Sequence, residues 1–269
     1  MSGALTYLYV PGTMPERFDK ALASGADAVV LDLEDAVALA DKETARRTVA
    51  EWMAQCMPGD VEVWVRVNPG DLDDVRAVAG PRLTGVWLPK VGSAAEVARV
   101  AEVLDEVCPE AAISAMIETA GGVFEALAIA RAPRIKFLQI GEVDLAADLG
   151  VDGSHDSLLF ARSQVVAASV AAGIEPPLAA VSRNFRDLDE FESDTRKLAG
   201  LGFVGRACIH PAQVAASRKV FVPTVDEVQD AYAVLEALAT TGVAVDSRGF
   251  LIDEAVARQA RRVVALHAP

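Results

Sequence analysis

Short β-branched runs alternate with longer stretches of helical period almost from one end of the chain to the other, and this alternation constrains the fold more than any other feature. The runs read as strands near Leu5 to Val10, Ala28 to Leu33, Glu62 to Asn68, Gly85 to Pro89, Ala111 to Glu118, Ile135 to Ile140, Pro177 to Val181 and Phe203 to Ile209. Between them lie helix-like stretches such as Asp41 to Gln55, Ser93 to Val107, Thr119 to Arg131, His155 to Ala172 and Asp187 to Leu201. Strand followed by helix, repeated about eight times with right-handed crossovers, closes most simply into an α/β fold of the (β/α)8 TIM-barrel class. An open doubly wound sheet is the alternative, weakened because no glycine-rich dinucleotide fingerprint follows the first strand.

Past Phe221 the pattern changes. Val225 to Thr240 reads as one amphipathic helix, Gly242 to Gly249 as a loop and Asp253 to His267 as another helix. The expected division is a TIM-barrel catalytic domain over 1–221 and a C-terminal helical extension over 222–269, an arm or lid that packs on a neighbouring subunit or covers a site. A plain outer-ring helix is its simpler role.

At 269 residues and 52% hydrophobic, the chain suits a single large α/β domain with a substantial core. No apolar run reaches the roughly 20 residues needed to span a bilayer, and the first residues lack the basic-then-apolar pattern of a secretory signal, so a cytoplasmic protein is expected. Cys56, Cys108 and Cys208 follow no paired or metal-ligand spacing and read as free thiols of a reducing compartment. A formal net charge of −14 disfavours nucleic acid and anionic membranes as partners, and an anionic substrate would need a local basic patch.

In a β/α barrel the strand C-termini converge on the active face, so residues just past each apolar run come first as candidates. These are Asp32, Glu34 and Asp35 in LDLEDAV, Arg66 in VRVNP, Lys90 in LPKV, Glu118, Glu142, Asp144 and His210. A rim so rich in charge is costly to gather unless a cation and an anionic ligand balance it. Glu118 and Asp144 could simply favour a helix dipole. On consecutive strand ends, with Glu34 and Asp35 on an earlier one, they also describe a Mg²⁺ site, because that ion takes only one or two carboxylates and keeps waters. Arg66 could pair with a rim acid or grip a substrate carboxylate in bidentate fashion. Lys90 suits a rim salt bridge better than a Schiff-base nucleophile, which would need a lowered pKa. His210, before Pro211 at a helix start, reads as structural. Arg17 and Lys20 share one helical face after the first strand, and Lys42 and Arg46 open the next helix. They form either a solvated basic face or a seat for a phosphorylated ligand.

Taken in register, YVPGTMPERFDKAL, VVLDLEDAV, VWVRVNP, LPKV, AMIETAGGV, IGEVDLAADLG, ARSQVVAASVAAG, GFVGRACIHPAQV and LIDEAVARQARRV resemble the HpcH/HpaI aldolase and citrate lyase β-subunit family, in its CitE-like branch. The likeness covers nearly the whole chain. It implies a TIM barrel, commonly a homotrimer, that binds Mg²⁺ and cleaves or forms a carbon–carbon bond in a β-hydroxyacyl-CoA of the malyl-, citramalyl- or citryl-CoA type. By that likeness Glu118 and Asp144 would ligate the metal, Arg66 would hold the oxo-acid carboxylate, and Glu34 and Asp35 would steady waters on the ion. Glu34, Arg66 and Asp253 are then the expected catalytic residues, with Asp35 and Glu118 joining Arg66 around the substrate. Arg17, Lys20, Lys42 and Arg46 would lie towards the CoA phosphates, and the LIDEAV segment would bring Asp253 over an adjacent subunit's site for proton transfer.

Three departures touch the substrate pocket: Gly121 stands where the family has arginine, GEVDL replaces GAEDL and so moves an acid to Glu142, and PPLAAVSRN lacks the usual acid. Two other functions stay open. One is a metal-dependent aldolase on free pyruvate-type oxo acids, and the other a catalytically retired ligand-binding subunit.

Overall fold

The computed structural model describes residues 3–57, 59–241, 244–245, 249 and 251–267. Two compact units emerge, Ala4–Ser217 and the residues from Arg218 on, and the division falls inside the helix Pro211–Phe221. The larger unit is built on a seven-stranded parallel sheet: β1 (Thr6–Pro11), β2 (Ala28–Asp32), β3 (Glu62–Arg66), β4 (Gly85–Leu88), β5 (Ala112–Ile117), β6 (Ile135–Ile140) and β7 (Arg206–Cys208). Their spatial order is β6-β5-β4-β3-β2-β1-β7, so each crossover places a strand beside its predecessor and β1 turns back to meet β7. The sheet curls into a TIM-barrel-like α/β fold.

The expected strand at Pro177 to Val181 does not form as a strand. Pro176 and Pro177 lack the amide donors a ladder needs. What remains is one bridge from Leu178 to Gln139 of β6 and one from Ala179 to Arg206 of β7, with Leu178 N–H donating to the Leu138 carbonyl at 2.9 Å. Both edges of the sheet are thereby tied to the same two residues. Helices Lys42–Gln55, Ala94–Val107, Ala120–Ala130, His155–Ala172 and Leu188–Leu201 form within a residue of their expected bounds. A short helix, Leu72–Val78, was not legible in the sequence. It is nucleated by Asp71, whose carboxylate accepts from the Asp73 and Asp74 amides.

Strand periodicity sorts the core into two layers. Val29, Leu31, Val63, Val65, Val86, Ile113 and Leu138 face the helices, whereas Tyr7, Val30, Trp64, Trp87, Met116 and Phe137 fill the inside of the curl. The inner layer is aromatic: Tyr7 meets Trp87 edge-on at 5.4 Å between ring centroids, and Trp64 lies 5.3 Å from Phe137. Gly85 makes room for this, because a Cβ there would run into the Trp64 ring and fall 2.5 Å from the Ala112 carbonyl oxygen. The plug closes one end of the curl and leaves the strand C-termini to form the other.

In the smaller unit the helices Val225–Thr241 and Glu254–His267 pack together, and Ala244–Val245 pairs antiparallel with Leu251–Ile252. Much of the expected loop from Gly242 to Gly249 lies outside the described residues. Among the described residues no helix is long and apolar enough to cross a membrane.

Candidate active site

A cavity of about 790 Å³ opens at the C-terminal ends of the strands, lined in part by Tyr9, Arg17, Lys20, Asp32, Asp35, Arg66, Glu118, Gln139, Asp144, Arg183 and His210. Its principal charged residues arrive there because they end or follow largely buried apolar strands. Asp32 closes β2 and Arg66 closes β3, in register with each other, so a guanidinium and a carboxylate stand side by side on one rim. Arg66 donates Nε to Asp32 Oδ1 at 2.7 Å and Nη2 to Oδ2 at 2.6 Å, with both side chains almost fully buried. Asp32 also accepts the Glu34 and Ala36 amides, which fixes the turn carrying the next two acids.

The remaining amine of Arg66, Nη1, reaches Glu34 at 3.0 Å, and the guanidinium carbon lies 5.2 Å from the Tyr9 ring centre. Asp35, half out in solvent, stands 3.8 Å from the same amine. Lys90 bridges onwards: its ammonium binds Glu34, and its main-chain N–H donates to Glu118 Oε1 at 2.5 Å. Burial lowers the Lys90 pKa, but the bond to Glu34 outweighs it and holds the amine above its ordinary range. A protonated, ion-paired amine is a poor Schiff-base nucleophile.

Glu118 is the most perturbed acid on this rim. Burial raises its carboxyl to about 7, opposed by the Lys90 amide and helped by the negative charge of Asp144 and then Glu34. This has a measurable consequence. The folded-state value lies above the ordinary 4.5, so the native protein binds the extra proton, and the associated stability is complete below about pH 4.5 and lost as the pH rises through about 7. In metal-free protein, Glu118→Gln is expected to flatten the fall in unfolding temperature between those limits by on the order of 1–3 kcal/mol of stability. An unchanged slope in calorimetric melts would contradict it.

Asp144 sits in the first turn of the helix Glu142–Leu149, which follows Gly141 directly after β6. Its electrostatic effect on Glu118 brings two acids from consecutive strand ends onto one wall of the cavity. Glu118 Oε1 is committed to the Lys90 amide, and among the described residues no donor reaches Oε2. No group of three His, Cys, Asp or Glu side chains is arranged as a metal cage among them. Two carboxylates on one cavity, one of them with an oxygen that no donor among the described residues engages, fit a hard cation such as Mg²⁺, which takes one or two carboxylates and keeps several waters, and do not fit a closed zinc site.

The other expected residues are placed as follows. Arg17 and Lys20 line the cavity. Lys42 donates instead to the Leu33 carbonyl at 2.8 Å and to that of Glu34 at 2.5 Å, bracing the acidic turn. Arg46 is engaged by Asp74 at 2.5 Å, by Asp71 and by Glu43. Glu142 gives both oxygens to Arg162 at 2.7 Å. His210 accepts the Ala212 amide at Nδ1 and stacks on Phe185, a helix-start role. Asp253 belongs to the smaller unit, where it caps the helix Glu254–His267 by accepting the Ala255 and Val256 amides. Sequence reasoning passed over Tyr9, whose hydroxyl donates to Gln139 Oε1 at 3.3 Å. A glutamine inside the apolar run IKFLQI was the available signal, since a buried amide needs a partner.

The model of the HpcH/HpaI aldolase/citrate lyase family matches residues 5–211, which spans every cavity residue just described. The chain belongs to this family. It is 35% identical over 96% of its length to a citrate lyase subunit β-like protein of Deinococcus radiodurans, covering 95% of that protein. It is 32% identical to an L-malyl-CoA/β-methylmalyl-CoA lyase of Cereibacter sphaeroides, covering 96% of this chain and 92% of the other. Among solved structures, CitE from Mycobacterium tuberculosis in complex with magnesium, acetoacetate and coenzyme A superposes with a TM-score of 0.84 at 32% identity, over 99% of this chain and 98% of that one. Named lyases thus stand among the family members most similar to this chain, and the family match leaves Asp253 outside its bounds.

Proposed function

We propose that this protein is a Mg²⁺-dependent carbon–carbon lyase that cleaves or forms a β-hydroxyacyl-CoA of the malyl-, citramalyl- or citryl-CoA type, giving an oxo acid and an acyl-CoA. One observation carries the reading: the acid pair Glu118 and Asp144, the guanidinium of Arg66 and the cations Arg17 and Lys20 line a single cavity. Glu118 and Asp144 hold the ion. When bound, the ion supplies a Lewis acid for the oxygens of the oxo-acid fragment.

Arg66, held by Asp32 through Nε and Nη2 and by Glu34 through Nη1, lines the cavity as a fixed guanidinium that binds the substrate carboxylate and sets its orientation. Glu34 and Asp35 complete the acidic wall beside it. In cleavage the hydroxyl loses its proton, the carbon–carbon bond breaks, and its electron pair passes to the carbon next to the thioester, which then takes up a proton. Asp253 of a neighbouring copy gives that proton, and removes it in the condensation direction. Arg17 and Lys20 bind the CoA phosphates. Lys42 and Arg46, both held by partners within the fold, shape the loops around that path.

The same reading takes the Leu178–Ala179 bridges as the eighth stave of a closed TIM barrel, residues 1–221 as the catalytic domain and 222–269 as a helical arm or lid that packs on a neighbouring subunit. It places the enzyme in the cytoplasm as a homotrimer, for which light scattering should return three times the 28.3 kDa chain mass.

The test is purified protein given malyl-, citramalyl- and citryl-CoA with and without Mg²⁺. Release of an oxo acid from at least one, only with the ion, is expected. No release from any would leave a ligand-binding subunit, and turnover of free hydroxy acids with indifference to CoA would point to the pyruvate-type aldolase. Arg17→Glu is expected to raise KM for the CoA ester about fivefold while leaving kcat nearly unchanged, as reversing one rim charge is worth roughly 1 kcal/mol.

A further inference from the structure

Lys90 is one of two non-glycine residues among those described with a positive φ, at +54°. The other, Arg134, serves an outer turn by bonding Asp105 and the carbonyls of Pro109 and Ala111. A lysine has no intrinsic reason to adopt the left-handed conformation, since its Cβ crowds the following carbonyl. Such strain persists only where surrounding contacts enforce it. Here the side-chain contact of Lys90 is its ammonium on Glu34, itself held by Arg66 at 3.0 Å. At this same turn the residue 90 amide donates to Glu118 Oε1.

Asp32, Arg66, Glu34, Lys90 and Glu118 therefore form one chain of contacts across the ends of β2, β3, β4 and β5. Lys90 is the joint between its carboxylate-gripping half and its acid pair.

We infer that Lys90 is a positioning residue for the metal site: its ion pair with Glu34 holds a strained backbone turn whose amide orients Glu118 and leaves Oε2 to the cation. The inference rests on the Mg²⁺ reading above. It assigns the work to the strained backbone and not to the charge, and the two have opposite signs. Removing a nearby positive charge by itself favours binding of a cation. Removing the clamp lets residue 90 relax, frees Glu118 and disfavours it.

Mg²⁺ affinity by isothermal titration calorimetry, alongside unfolding temperature, separates these in Lys90→Gln, Lys90→Gly and Lys90→Arg. Lys90→Gln keeps the strain without the clamp, so Mg²⁺ binding is expected to weaken about 10- to 100-fold, the range for partners that orient metal ligands. Lys90→Gly occupies a positive φ at no steric cost, so its loss should be smaller, within about threefold. Lys90→Arg keeps a cation on Glu34 and should stay near wild type.

Equal losses in the glutamine and glycine variants, or tighter Mg²⁺ binding in either, would overturn the inference. So would a glutamine variant that melts lower but binds the ion as wild type does, the mark of a residue serving only the fold. Wild-type protein that takes up no Mg²⁺ would remove the metal reading itself, and with it this inference.

Discussion

Glu118→Ala is expected to abolish measurable Mg²⁺ uptake and to lower kcat/KM for hydroxyacyl-CoA cleavage about a thousandfold or more. Losing a Lewis acid at an oxygen that gains charge costs several kcal/mol of transition-state stabilisation, and each 1.36 kcal/mol is about tenfold in rate. The fold should survive. Burial holds the Glu118 carboxyl up to about 7, so its charged form is already disfavoured in the native state. Truncation gives up the Lys90 amide contact, worth about 1–3 kcal/mol if that amide is left dry, and relieves the repulsion from Asp144 and Glu34. Metal-dependent turnover within tenfold of wild type would defeat the assignment. A lysine-based aldolase would be insensitive to this change and would be trapped by borohydride.

Gly141→Ala should be nearly as severe, although the residue touches no substrate in the proposed scheme. Its φ of −100° is open to any amino acid, so the demand for glycine is spatial. A Cβ at 141 would fall 2.7 Å from the Glu118 Cβ, closer than real Cβ contacts allow, and 3.1 Å from its carboxyl carbon. Glu118 lies between this glycine and the Lys90 amide and has nowhere to retreat except out of its place. We expect overpacking to cost about 1–3 kcal/mol, several degrees in unfolding temperature, and Mg²⁺ affinity to drop at least a hundredfold. Gly121→Ala is the control: a Cβ there meets nothing within 4 Å, and activity and stability should hold. If the two alanine variants bound Mg²⁺ alike, steric closure at 141 would be the wrong account.

Much of this site was legible because the chemistry falls where strand periodicity stops. VVLDLED, VWVRV and AMIE each bury an apolar strand and place a charged residue at its end, and a parallel sheet delivers all such ends to one face. Lys90 is instructive, because the sequence favoured a rim salt bridge and the structure supplies it, with Glu34. What no reading of the chain could supply is the main-chain contact from Lys90 to Glu118, which depends on a left-handed backbone that no residue-type rule assigns to lysine. The four N-terminal cations look alike in sequence. Two face the cavity and two are bound into the fold, Lys42 by the Leu33 and Glu34 carbonyls and Arg46 by Asp71 and Asp74 at the start of a helix whose existence was not foreseen.

The sequence by itself determined the parallel strand–helix alternation, the two-layer core and the set of charged strand ends, because hydrophobic periodicity and strand direction are local properties written residue by residue. Only the tertiary structure decided how those charges are shared out: Asp32 paired through both oxygens with Arg66, Glu34 divided between Arg66 and Lys90, Glu142 withdrawn to Arg162, and Glu118 left with one oxygen open. Ion pairs between residues 20 to 56 positions apart depend on angstrom-scale distances set by the curl of the sheet, and no linear pattern encodes that curl.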